Sequence, residues 1–257
     1  MLLEEFDPNP SAVINPADVV RPVPGLPKVG VSCFSHRTFA RMADALSAEE
    51  CAATGIASMH LPVCRAAFCG TELALFLAPV GAPACVSVLE DLFAMGLEKL
   101  VLFGNCGVLD RAIGDCSVII PTAALRDEGT SFHYAPAADE IEVNPRYREA
   151  FLRILDGHGC GHTLGKTWTT DGAYRETREK VARRREAGCV CVEMECAAVA
   201  ALAAFRGKEV FQFFYAGDNL DAERWEARSL SGSAKLPEKD RVALLALELA
   251  QEMGRQV

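Results

Sequence analysis

The stretch Gly188-Cys-Val-Cys-Val-Glu-Met-Glu-Cys-Ala-Ala-Val-Ala-Ala-Leu-Ala-Ala-Phe-Arg-Gly207 changes character at its middle. Gly188 to Val192 is short, apolar and β-branched, the pattern of a buried strand. After Glu193 the chain becomes an alanine-rich helix, closed by Gly207. Outward from it the same alternation recurs. Lys28 to Cys33 reads as a strand, and Thr38 to Leu46 as a helix with Phe39, Met42 and Leu46 on one face. Leu73 to Pro79 is strand-like, Gly81 and Pro83 punctuate, and Val86, Leu89, Phe93 and Met95 recur at helical spacing up to a C-cap at Gly96. Lys99 to Gly104 is a continuous apolar run, expected of a central strand covered on both faces and ending in a glycine turn. Cys116 to Pro121 and Glu209 to Tyr215 read as further strands. Glu238 to Met253 is an amphipathic helix that docks through Val242, Leu245 and Leu249.

This alternation predicts an α/β single domain with a mixed central β-sheet sandwiched by helices, and the runs around 116 to 134 leave room for antiparallel or barrel-like edges. No repeat or linker divides the chain. Phe6 to Pro27 carries six prolines without a sustained period, so residues 1–27 are expected to form an irregular lead-in to a domain at 28–257.

At 257 residues the chain fits one large domain better than two at ~150 residues each. Half of it is hydrophobic, which excludes disordered and collagen-like classes. The net charge is −9, and no basic block exceeds Arg183-Arg184-Arg185, so nucleic acid is not an expected partner. Met1-Leu2-Leu3 runs at once into Glu4 and Glu5, no signal peptide, so the 11 cysteines are expected in a reducing cytoplasm as small core residues. Their spacings match neither a zinc site nor a redox pair, so no metal is expected. The longest uncharged stretch, Leu73 to Leu89, is broken by Pro79, Gly81 and Pro83, so no membrane association is expected.

In open α/β sheets ligands bind beyond the C-terminal ends of strands, and four such ends carry polar residues. Gly104-Asn105-Cys106-Gly107 can turn tightly and present N–H groups to an anion. Val192-Glu193-Met194-Glu195 places two carboxylates at the start of a small-residue helix. One carboxylate there is ordinary dipole compensation, whereas two fit a site that holds an acid and binds hydroxyls. Asp218, in Gly217-Asp218-Asn219, is either a strand-end acid or a turn former. In Thr169-Thr-Asp-Gly-Ala-Tyr-Arg-Glu-Thr-Arg178, Tyr174 and a guanidinium can clasp a planar heterocycle, the alternative being a helix N-cap at Thr170 or Asp171.

Taken in this order, these stretches resemble the nucleoside phosphorylase superfamily, which contains hexameric purine nucleoside phosphorylases and uridine phosphorylases. The matching landmarks are the 104–107 turn, Val-Glu-Met-Glu-Cys-Ala-Ala at 192–198 and Asp218. Arg126 to Pro136 is similar to a uridine phosphorylase segment, and the resemblance spans about residues 28 to 253. It implies a nucleoside phosphorylase-like fold and reversible phosphorolysis of a purine or uridine ribonucleoside to free base and ribose 1-phosphate. Inorganic phosphate is then the co-substrate and no cofactor is needed.

By the same resemblance Glu195 stabilises positive charge on the ribose, with Met194 packed on the sugar and Glu193 beside it. Gly104, Asn105 and Arg37 take the phosphate. Asp218 assists the departing base, as in purine-specific relatives. Thr177 and Arg178 fall near a Gln and an Arg that hold uracil in uridine-specific ones. A homodimer or hexamer is implied.

The chain also departs from the family. Leu102 stands where many phosphorylases carry an arginine. The first histidine is His36, so the family's N-terminal histidine has no counterpart, and His60 or Arg65 is either the residue lent across a dimer interface or an ordinary surface or core residue. Leu102 would suit a nucleosidase that activates water. A nucleoside-binding protein without turnover is a further alternative, and a hydrolase using Cys106 needs a histidine partner.

Overall fold

The computed structural model describes residues 2–230 and 232–255. After a 3-10 turn (Leu2–Glu4) and a short helix α1 (Pro16–Val19) the chain runs β1 (Val29–Cys33), α2 (His36–Ala45), β2 (Glu49–Ile56), β3 (Met59–Phe68), β4 (Thr71–Leu77) and α3 (Ala82–Met95). It continues through β5 (Lys99–Val108), β6 (Val118–Asp127), β7 (Glu140–Glu142), α4 (Arg148–Gly157), β8 (His162–Thr170) and α5 (Arg178–Glu186). It ends with β9 (Cys189–Glu193), α6 (Cys196–Arg206), β10 (Glu209–Asn219) and α7 (Leu236–Arg255).

One half of the sheet is open, in the order β2-β3-β4-β1-β5, with β1 parallel to both β4 and β5. The other half closes. β5 pairs with β10, β10 with β6, β6 with β8, β8 with β9, and β9 returns antiparallel to β5, making a five-stranded barrel. The expected mixed, partly barrel-like sheet is therefore present, and the 116–134 region supplies it through β6.

Alternation along β5 sorts the two helical layers. Val101 and Phe103 face α4 and α7, where Phe103 stacks on Phe213 with centroids 5.5 Å apart. Leu100 and Leu102 face α3 and α6. Leu102 is 1% exposed in that apolar layer, so its side chain belongs to the core. Burying each such Leu or Phe contributes roughly 1.5–3 kcal/mol. One buried cluster joins Cys106, Ile119, Cys191 and Phe214 of the barrel strands to Cys196 and Ala197 of α6. Six of the 11 free cysteines are buried. Gly207 closes α6 at φ +63°, where a Cβ would be strained.

Several local expectations are corrected. The chain does not turn at 104–107, because β5 runs on to Val108. Gly104 and Gly107 instead permit close approach: a Cβ on Gly104 would lie 2.8 Å from the Phe34 ring, and one on Gly107 2.4 Å from Leu220 Cδ1. Asp218 lies inside β10 and not after it. The register slips between Ala216 and Asp218, and that bulge re-aims the acid. Neither Thr170 nor Asp171 caps a helix, since Thr177 caps α5 by accepting from the Lys180 N–H. The lead-in carries two short helical turns and is pinned to the body. Arg206 donates to the Pro10 carbonyl at 2.9 Å while its guanidinium forks onto Glu90. Among the described residues, no helix is long and apolar enough to cross a membrane.

Candidate active site

Along one edge of β5, pairing with β1 ends at Phe103 and pairing with β9 begins at Gly107. Gly104 to Cys106 are left without a partner strand on that edge, and a cavity of about 280 Å³ opens at this fork. It lies at the C-terminal ends of the parallel strands, where doubly wound sheets bind ligands. Asn105, Met194, Glu195, Asp218 and Glu176 bring polar or polarisable groups to it, while Phe34, Val80, Leu220 and Leu230 add apolar surface.

Glu193 sits at the end of β9 and is fully engaged. One carboxylate oxygen accepts from the hydroxyls of Thr169 (2.6 Å) and Thr167 (3.3 Å). The other accepts from the backbone N–H groups of Glu195 (2.8 Å) and Cys196 (2.6 Å), and so caps α6. Glu193 therefore fixes the Met194–Glu195 turn from behind. Burial raises its pKa to about 7 against the pull of those donors. Glu195 is 5% exposed and accepts from the Gly81 N–H at the head of α3. Burial, and next the charge of Glu193, push it up to about 8.

On the opposite wall Asp218 accepts from the Trp225 indole N–H at 2.7 Å. Burial raises its pKa, opposed by that hydrogen bond and by Arg228. Glu176 also faces the cavity, with no hydrogen bond to its carboxylate among the described residues. Burial, then the Asp218 charge, raise it to about 7. Four carboxylates thus line one pocket.

The structure brings Glu193, Met194, Glu195, Asn105 and Asp218 together around this cavity, and Gly104 lies in β5 at the fork. Arg37 is outside the lining, exposed in the first turn of α2, with no hydrogen bond or ion pair among the described residues. Tyr174 is fully exposed at a neighbouring chamber, and Thr177 is spent on its cap. Arg178 is tied to the carbonyls of Ala222 and Glu223. Arg65 donates to the Gly25 carbonyl of its own chain, and His60 is exposed on the β2–β3 hairpin. Nothing from 126–136 lines the cavity: Arg126 holds that segment onto itself through Ser131 and Pro136.

Cys106 lines the site, with its thiol raised well above its ordinary value by burial. No histidine lines the cavity beside it, so the geometry gives a cysteine nucleophile no base. Residue patterns missed Gly81, Glu176, Thr167 and Trp225. Trp225, an aromatic inside the charged stretch Asp221 to Arg228, is the one the sequence could have flagged.

A split sheet with a closed barrel thus carries a carboxylate-rich pocket at its fork. The family model of the phosphorylase superfamily matches residues 28–245, and the chain belongs to that superfamily. Among its relatives, guanosine phosphorylase of Halorubrum lacusprofundi is 29% identical over 183 residues, 69% of this chain and 73% of that protein. Uridine phosphorylase of Thermococcus kodakarensis is 28% identical over 109 residues, 41% of this chain and 38% of that protein. DeoD-type purine nucleoside phosphorylase of Bacillus cereus is 26% identical over 148 residues, 55% and 61% of the two chains.

The fold is shared with purine nucleoside phosphorylase of Toxoplasma gondii in complex with immucillin-H, at a TM-score of 0.76, 17% identity and coverage of 90% of this chain and 93% of that one. It is shared equally with uridine phosphorylase of Vibrio fischeri, at a TM-score of 0.77, 17% identity and coverage of 94% and 99%.

Proposed function

We propose that this protein is a nucleoside phosphorylase acting on a purine ribonucleoside, with a 6-oxopurine as the preferred base. The observation that carries the reading is Glu195, a buried carboxylate held at the head of α6 in the lining of the pocket. As the N-glycosidic bond breaks, positive charge grows on the ribose, and a carboxylate on the sugar hydroxyls stabilises it. Met194 supplies the apolar wall for the sugar. Asp218, raised by burial, donates a proton to the ring nitrogen of the leaving base.

The preference for purine rests on the Glu176–Asp218 pair. A 6-oxopurine offers the N7 and O6 acceptors for a protonated acid and ring or amino N–H donors for an ionised one, and the mutually repelling Glu176 and Asp218 supply both by sharing one proton. The guanidinium that would hold uracil, Arg178, is bound to backbone carbonyls. Phosphate falls to Asn105 and Arg37. A cation in the first turn of a helix opposes the helix dipole, and Arg37 has no hydrogen bond or ion pair among the described residues, an arrangement that an incoming anion relieves.

One observation favours hydrolysis as the second reading: no Lys, Arg or His lines the cavity, whereas four carboxylates do. Incubating the purified protein with guanosine, inosine, adenosine and uridine, with and without phosphate, separates the two. Base release that requires phosphate and yields ribose 1-phosphate is expected. Equal release without phosphate assigns the protein to the nucleosidases, and no release from any nucleoside leaves a binding protein.

A further inference from the structure

The pocket does not end at the Glu176–Asp218 pair. A second chamber of about 630 Å³ continues outward and shares Ala173, Glu176, Asp218, Leu220 and Leu230 with the inner cavity. Asn105, Met194 and Glu195, the residues read as serving sugar and phosphate, line only the inner one. The outer chamber therefore opens on the side of the base.

The inner cavity sits at the lower end of the size range of small-molecule sites, roughly 300–1,000 Å³. It suits a compact ligand, and the larger outer volume is then surplus to an unmodified nucleoside. Its walls specify what fills it. Trp225 and Tyr174 present aromatic rings that are 61% and 102% exposed, and Val181, Leu220 and Ala222 add aliphatic surface. The indole N–H is committed to Asp218, which leaves the ring faces free for stacking.

Among the described residues, the cations at the chamber have their donors engaged. Arg178 is held by two carbonyls, and the nearby Lys180 is paired with Asp127 at 3.3 Å. Glu176 and Asp218 at its inner border repel anions. A phosphate or carboxylate is disfavoured there, and an uncharged planar or apolar group is favoured.

We propose that the outer chamber receives an uncharged aromatic or apolar substituent carried on the base, so that base-substituted purine nucleosides are substrates. This rests on the nucleoside-cleaving reading above. The test compares phosphorolysis of guanosine and N2-benzylguanosine by the wild type, Ala222→Phe and the milder Ala222→Leu, both of which fill the chamber from a position outside the inner cavity. The wild type is expected to cleave N2-benzylguanosine with kcat/KM no lower than guanosine.

Filling the chamber is expected to cut kcat/KM for N2-benzylguanosine by about tenfold or more and to leave guanosine within twofold. Guanosine turnover reports at once whether each variant is folded. Rejection of N2-benzylguanosine by a wild type that cleaves guanosine overturns this inference and leaves the phosphorylase reading standing. Equal effects of both variants on the two substrates also overturn it. Cleavage of neither substrate by the wild type overturns both.

Discussion

The Glu195 carboxylate accepts a hydrogen bond from the backbone N–H of Gly81 at 2.5 Å, joining the head of α6 to the head of α3 across 114 positions of chain. Gly81 adopts φ +99°, ψ 131°, a region only glycine occupies without strain. No atom lies within 4 Å of where its Cβ would be, so the cost of Gly81→Ala is conformational and not steric. It is expected to destabilise the fold by about 1–3 kcal/mol and to lower kcat/KM as the Glu195 partner shifts. Thermal unfolding and steady-state kinetics check the two effects.

The buried acids set a pH dependence with a definite sign. Glu193 and Glu195 are raised in the fold to about 7 and about 8 from an ordinary 4.5. Between these limits the folded chain holds protons that the unfolded chain has lost, so their contribution to stability falls as pH rises. Tm is expected to be lower at about pH 8.5 than at pH 6, and Glu195→Gln is expected to shrink the difference. Because an ionised carboxylate is what meets the ribose charge, kcat/KM rises over the same window. The limb belongs to the coupled pair and not to one residue.

Trp225 donates to the carboxylate that assists the base. Trp225→Phe keeps the ring and removes the N–H. Losing an ordinary hydrogen bond is worth roughly 0.5–1.5 kcal/mol, so kcat/KM for a purine nucleoside is expected to fall by about two- to tenfold. The hydrogen bond holds the Asp218 pKa down, so the alkaline limb of the pH profile is expected to move up. A variant with an unchanged profile would leave Trp225 without a positioning role.

Arg37→Ala is expected to raise KM for phosphate about tenfold with little change in KM for nucleoside or in Tm, because the guanidinium has no hydrogen bond or ion pair among the described residues. Varying phosphate at saturating nucleoside measures it. An unchanged KM for phosphate would move the anion site elsewhere and strengthen the hydrolytic reading.

Much of this arrangement was legible in the chain. The switch from β-branched strand to alanine helix at Glu193 fixed β9, α6 and the acids between them, because periodicity and capping are local. The continuous apolar run at Lys99 marked β5, but its end at Val108 was not legible. Gly104 and Gly107 read as turn formers, whereas they are glycines because Phe34 and Leu220, distant in sequence, pack against them. The β2–β3 hairpin and β8 were missed for the same reason: their half-buried pattern becomes meaningful only once partner strands are known. The pairing of Glu176, in the loop before α5, with Asp218, in β10, has no sequence period to reveal it.

The central claim is that Glu195 meets the charge developing on the ribose. Its most direct test is the single-turnover rate of base release from guanosine in the presence of phosphate, for wild type against Glu195→Gln. A fall of about 10²–10³-fold with guanosine still bound is predicted. A Glu195→Gln enzyme that releases guanine within twofold of the wild-type rate would contradict it.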